Sequence, residues 1–199
     1  MRTWRLLALG TPIAIAMWAC SGDEPKAAPK PAPKKASNPS AWKEIETPVP
    51  VGKKLLCTAV LPVDKIGAAL ARKLDVIDES SRDLDATSVC RFMNVDKKGK
   101  IGDEECMVSV YCWSAWSVAE MKKRCDARGE QTFTEDLGLL TCVQRVPAGE
   151  KERHVVTVLE PDTRCKVVVN AAPNQYDLNQ TRACAKAVVD VLDKDSLKP

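Results

Sequence analysis

Cysteine is the residue type with the most chemistry to spend in this chain. Nine are present. Cys57, Cys90, Cys106, Cys112, Cys125, Cys142, Cys165 and Cys184 are spread through the body of the sequence, and Cys20 stands apart near its start. Zinc sites use closely spaced Cys or His pairs, whereas this chain has no Cys-x-x-Cys pair and a single histidine. Eight cysteines can pair completely, which points to four disulfides and an oxidising compartment. Sequence alone does not choose the connectivity. Cys165 and Cys184 are the pair most expected, because that bond would staple the last helix to the sheet. No metal and no cofactor is expected.

Other candidate chemistry is weaker. Counting from Asn94, the loop to Glu105 places Asp96 third, Gly99 sixth, Ile101 eighth and Glu105 twelfth, much of a calcium-binding EF-hand loop. Lys98 puts a cation where an oxygen ligand belongs, and the flanks 89–92 and 107–111 favour strands where helices are required. The run Asp96-Lys97-Lys98-Gly99-Lys100 reads better as a charged hairpin turn. His154, the lone histidine, would have to serve any Ser-His or Cys-His pair. It opens an apolar strand beside Arg153, no Gly-x-Ser-x-Gly is present, and a structural role is the simpler expectation. The adjacent acids Glu104-Glu105 and Glu135-Asp136 read as solvated loop carboxylates. Ser40-Ala41-Trp42-Lys43 matches the Ser-x-x-Lys of penicillin-recognising enzymes but sits in Pro-rich chain with no helix to hold it. Trp116 reads as core, and Trp113 is the candidate exposed contact, since tryptophan is enriched in binding hot spots.

The N-terminus says where the chain goes. Arg2 and Arg5 precede an apolar run from Leu6 to Ala16, and Met17-Trp18-Ala19-Cys20 follows. A basic start, a short apolar core and a small residue at the exit describe an export signal. Ending on cysteine, it resembles a bacterial lipoprotein signal, with Met17 and Trp18 departing from the usual residues. That resemblance implies a diacylglyceryl group on Cys20, cleavage before it and acylation of the freed amine. An ordinary secretory signal cut after Ala16 is the alternative. Cysteine parity favours the lipid, because removing Cys20 leaves an even set.

Residues 21–54 carry seven lysines against four acids, whereas 55–199 carries 21 Lys and Arg against 23 Asp and Glu. The basic excess therefore belongs to the leader and tether. A near-neutral domain has no electrostatic footprint for nucleic acid. Seven prolines between Asp23 and Lys54 predict an extended spacer without the apolar density to order itself. The expected organisation is a signal at 1–19, a lipid-anchored tether at 20–54 and a disulfide-rich domain at 55–199.

Within the domain, a helix is expected from Pro62-Val63-Asp64, with Ile66, Leu70, Leu74 and Ile77 on one apolar face, followed by a polar loop over 75–85. Strands are expected at 88–95 and 106–113, the second with Cys106, Val108, Val110 and Cys112 on one face. Ser117 and Glu120 form a capping box, with Trp116 and Met121 as its hydrophobic staple, for a helix to about Ala127. Further strands are expected at 131–134, 139–146, 154–160 and 165–170, with a Pro161-Asp162-Thr163 turn between the last two. A final helix follows Asp177, with Gln180 as capping-box partner and Leu178, Ala185, Val188 and Leu192 as its stripe. This pattern predicts a single α+β domain, an antiparallel sheet packed with about three helices and stapled by disulfides. The Leu-Pro-Val-Asp opening at 61–64, Cys90-Arg91-Phe92 and the Ala-Cys-Ala of the last helix are similar to an uncharacterised family of actinobacterial envelope lipoproteins, a resemblance that implies no activity. The expected function is a non-catalytic binding or scaffold module in the cell envelope, outside the cytoplasm and held to a membrane. Its partner would be an envelope protein, peptidoglycan or a small ligand. A hydrolase using His154 and a calcium-dependent module using the Asn94–Glu105 loop are the alternatives.

Overall fold

The computed structural model describes residues 49–114 and 116–197. The leader, Cys20 and the tether up to residue 48, with Ser40 and Lys43, lie outside the described residues.

Among the described residues four helices and seven strands follow one another as α1 (Cys57–Val60), α2 (Val63–Ala69), β1 (Leu74–Asp78), β2 (Ser88–Val95), β3 (Ile101–Tyr111), α3 (Val118–Ala127), β4 (Gln131–Thr134), β5 (Leu140–Ala148), β6 (Lys151–Leu159), β7 (Lys166–Ala171) and α4 (Leu178–Val191). The strands form one sheet in the order β1-β2-β3-β7-β6-β5-β4, and every neighbouring pair is antiparallel. The last strand thus enters the middle, joining the β1–β3 meander to the β4–β6 meander. The domain is α+β, as the patterning predicts. The helix beyond the expected three is α1, a single turn too short to leave a periodic signal.

Alternation along the central strands sorts side chains onto two faces. Cross-strand register aligns Cys90, Val108, Val169, Val156 and Val143 in one row, and Val110, Val167 and Val158 in the next. All are buried in a core shared with Val188 and Ala185 of the last helix, Leu192 just after it, and Val60 and Ile66 of the first two. Burying each such valine contributes about 1.5–3 kcal/mol, so these rows dominate the packing. α4 lies over β6 and β7 on this face. Asp177 caps it by accepting from the Asn179 N–H at 2.9 Å, one residue earlier than the capping box expected with Gln180.

Four disulfides pin the layers: Cys57–Cys90, Cys106–Cys184, Cys112–Cys165 and Cys125–Cys142. The expected Cys165–Cys184 bond is not formed. β7 lies beside β3, which puts Cys165 against Cys112, and the staple from α4 reaches Cys106 on β3 instead.

The predicted helix through Ile77 ends early. Ala71 adopts a left-handed backbone (φ 52°), and Gly67 has the Arg72 carbonyl 2.7 Å from where a Cβ would stand, so the chain folds back on the helix there. Leu74 to Asp78 then pairs with β2, with Leu74 and Val76 packed against the core and Ile77 exposed. The helical spacing of Leu70, Leu74 and Ile77 is coincidental, and the β-branched Val76-Ile77 pair follows its strand preference. The packed domain also reaches back beyond residue 55, into the stretch assigned to the tether. Val49 is buried, the Lys53 carbonyl accepts from the Trp113 indole at 2.8 Å, and Lys54 Nζ donates to the Ala86 carbonyl at 2.6 Å.

Candidate functional site

The second face of the sheet differs from the first. Register places Arg91, Met107, Asn170, Val155 and Gln144 in one cross-strand row and Tyr111 and Lys166 opposite one another in another. These side chains are half-buried, whereas the rows on the helix side are buried throughout. α3 packs on β4 and β5 at one end of this face. It is positioned by two devices legible in the sequence. Ser117 Oγ accepts from the Glu120 N–H at 3.1 Å while the Glu120 carboxylate accepts from the Ser117 backbone N–H at 3.4 Å, completing the capping box. Trp116 and Met121 pack into a small second core with Cys125, Leu140, Cys142 and Leu159. The Cys125–Cys142 disulfide locks the helix to β5.

Three recesses adjoin along this face. The first, 220 Å³, lies against α3 and is lined by Trp116, Met121, Arg124, Arg128, Gln144 and Lys166 among others. The second, 330 Å³, shares Val155 with it and carries Arg91, Glu104, Met107, Arg153 and Asn170. The third, 470 Å³, shares Trp116, Arg124 and Lys166 with the first and adds Asp83, Asp85, Tyr111 and Trp113. Together they form a polar, cation-rich groove on an apolar floor of Met107, Val155 and Val168.

Its electrostatics are set by burial. Lys166 is held below the ordinary lysine value, first by burial and then by the charges of Arg124 and Arg128, against which Asp83 and Asp85 act. At the other end, burial raises the Glu104 carboxyl, the Arg91 guanidinium opposes the rise and Glu79 adds to it. Arg91 bridges the two acids, 3.2 Å from Glu104 and 2.9 Å from Glu79. Tyr111 donates to Asp83 at 2.7 Å. Burial, then that hydrogen bond and the charge of Asp83, push its phenol up to about 12.

The residues singled out in the sequence fall in different places. His154 lines the second recess with Glu104, and its Nδ1 is buried without a hydrogen-bond partner among the described residues. It alternates in phase with Val156 and Val158 of the helix-side core, while Arg153 and Val155 belong to the groove row. The residues lining that recess include no Ser, Thr, Cys or Tyr to serve as its nucleophile. Trp113 is no free exposed contact. It is half-buried against the main core, its N–H is engaged by Lys53, and Lys54 sits 4.9 Å over its ring.

The Asn94–Glu105 loop is a hairpin between β2 and β3, not a helix-flanked calcium loop. Asp96 accepts from the Lys98 and Lys100 N–H groups at 2.8 Å each, and Gly99 takes the left-handed bend (φ 82°). Glu105 is buried, bonded to Asn94 Nδ2 at 2.8 Å and paired with Arg72 at 3.3 Å. Both presumed ends of the calcium loop are therefore tied to protein groups. Asp136 pairs with Arg182 of α4 at 2.6 Å, so the Glu135-Asp136 acids are not both free loop carboxylates. Glu130 lies close to the Cys125 and Cys142 sulfurs, but those are spent in a disulfide and offer no thiolate.

Sequence reasoning missed the groove cations. Arg124 and Arg128 lie one turn apart at the end of α3, and Arg153 and Lys166, remote from them in sequence, join that face only because β7 inserts beside β6. One signal was present: Lys166 stands between Cys165 and the apolar run Val167 to Val169, opposite in phase to the buried Val167.

Comparison of the chain with protein-family models, curated proteins and solved structures returns no match.

Proposed function

We propose that this protein is a non-catalytic binding module of the bacterial cell envelope, anchored by lipid on Cys20 and using the open face of its sheet to hold a ligand. The observation that carries the reading is the asymmetry of the two faces. One is sealed by α1, α2 and α4, and the other keeps a continuous groove of half-buried charged and apolar side chains at the centre of a rigid sheet. Concave sites with an apolar floor and a few convergent polar groups are the usual form of small-molecule sites. Four disulfides favour an extracytoplasmic domain, and no helix among the described residues is long and apolar enough to cross a membrane. Attachment by acyl chains through a Pro-rich tether would supply the membrane association.

A photo-crosslinking residue in place of Met107, at the centre of the groove, tests the binding role in intact cells. The same residue in place of Lys186, on the exposed side of α4, is the control. The expected result is a discrete adduct at Met107, identified by mass as small molecule, glycan or protein, and none at Lys186. No adduct at Met107, or turnover of an envelope substrate abolished by His154→Ala, would overturn the proposal. For the anchor, Cys20→Ser should release the protein from the membrane fraction and abolish palmitate labelling.

A further inference from the structure

At its α3 end the groove concentrates positive charge that the carboxylate within the recess does not match, and Asp83 and Asp85 of the adjoining recess offset it only in part. Arg124, Arg128 and Lys166 all line the 220 Å³ recess. Its carboxylate, Glu130, is already engaged by both the Nε and the second terminal nitrogen of Arg128. Arg124 and Lys166 rest on aromatic rings instead. Each stands 4.7 Å from the centroid of Trp116, and Lys166 is also 3.8 Å from that of Tyr111. A ring quadrupole attracts a cation without neutralising it.

Holding like charges together in a half-buried recess costs stability, and such arrangements cluster where a ligand supplies the opposite charge. The Lys166 ammonium is depressed first by burial and only then by the charges of Arg124 and Arg128. The Trp116 indole N–H is buried and has no hydrogen-bond partner among the described residues, a donor whose desolvation costs about 1–3 kcal/mol when unmet. Beneath these groups the floor is apolar, built from Met121, Val155 and Val168. Arg124 offers a planar fork suited to two oxygens, and Lys166 a point charge beside it.

We propose that this recess binds a small organic anion, a carboxylate or phosphate monoester carrying an apolar or single-ring body. Arg124 and Lys166 hold the oxygens, and the body lies on Met121, Val155 and Val168. The assignment rests on the reading of the open face as a binding surface and names its ligand class. The recess is smaller than the about 300–1,000 Å³ typical of drug-sized ligands, which limits the occupant to a compact acid.

The test is a titration of the ¹⁵N-labelled mature domain, disulfides intact, followed at the Trp116 indole N–H and the arginine Nε–H resonances. Phenyl phosphate, benzoate and inorganic phosphate separate the anionic group from the body, and benzyl alcohol is the neutral control. A saturable shift of the Trp116 indole is expected with phenyl phosphate or benzoate and not with benzyl alcohol. Affinity should fall about tenfold or more in Arg124→Gln and in Lys166→Met, as loss of a charge-assisted contact requires. No saturable shift up to about 10 mM of either organic anion, or undiminished binding in the Arg124→Gln/Lys166→Met double variant, overturns the proposal. If those variants do not keep the oxidised fold, salt dependence of wild-type binding decides. Weakening with added salt supports the site, and salt-independent binding overturns it. A discrete adduct at Met107 with no anion shift refutes the anion assignment and leaves the binding role standing, whereas loss of both removes the binding role itself.

Discussion

The bond between Cys106 and Cys184 should be worth about 3.5 kcal/mol, less than its span suggests. The two cysteines are 78 residues apart, and closing a loop of that length in an unfolded chain corresponds to about 4.5 kcal/mol in the chain-entropy account. Cys112–Cys165 lies inside this loop and short-circuits it. The shorter path runs from Cys106 to Cys112, across that bridge, and from Cys165 to Cys184, an effective loop of about 25 residues and about 3.5 kcal/mol. Cys125–Cys142 closes 17 residues with no bridge inside it, worth about 3 kcal/mol. The outermost and innermost bridges of the nest are therefore nearly equal. Cys106→Ala/Cys184→Ala avoids a stray thiol, and urea unfolding of the oxidised domain gives the loss directly. Hydrogen exchange should quicken along α4, which that bond holds to β3. A loss below about 1 kcal/mol would refute the entropic reasoning. A peptide joining Cys165 to Cys184 in a non-reducing digest would refute the connectivity on which it rests.

Three further outcomes follow from the geometry. Tyr111, raised to about 12 by burial and by Asp83, favours the fold as neutral phenol; its contribution is whole below the unfolded value near ~10 and is lost as pH rises through about 12, so an alkaline stability titration should flatten over that window in Tyr111→Phe. Glu160, buried before the β6–β7 turn, accepts from the Asp162 and Thr163 N–H groups and the Thr163 hydroxyl, so Glu160→Ala should cost about 1–3 kcal/mol in chemical denaturation and expose the Thr163 amide to exchange. At Gly138 a Cβ would clash with the Leu159 carbonyl oxygen, so Gly138→Ala should destabilise by about 1–3 kcal/mol in urea unfolding, whereas Gly102→Ala, whose nearest neighbour is 3.5 Å away, should change stability by no more than about 0.5 kcal/mol.

Local signals were legible in the sequence where the physics is local. The capping box of Ser117 and Glu120, the Trp116–Met121 staple and the Pro161 turn depend on neighbours a few residues away, and the residue types name them directly. Alternation likewise put Cys106, Val108, Val110 and Cys112 on one face, and cysteine parity among 57–184 anticipated complete pairing. Periodicity failed at Leu74 and Ile77, where three apolar residues fit a helix by spacing while a left-handed Ala71 had already ended it.

Partner choice is a different matter, because it is fixed by strand order, and strand order leaves no mark on spacing. Only the entry of β7 between β3 and β6 sends Cys165 to Cys112 and Cys184 to Cys106. The same entry brings Lys166 into one recess with Arg124 and Arg128, and sets Asn170 between Met107 and Val155. Sequence determined the alternation of the central strands and the turns and caps made by near neighbours. The sheet decided which side chains meet, since contacts across strands are made by chain segments that are remote until the fold closes over them.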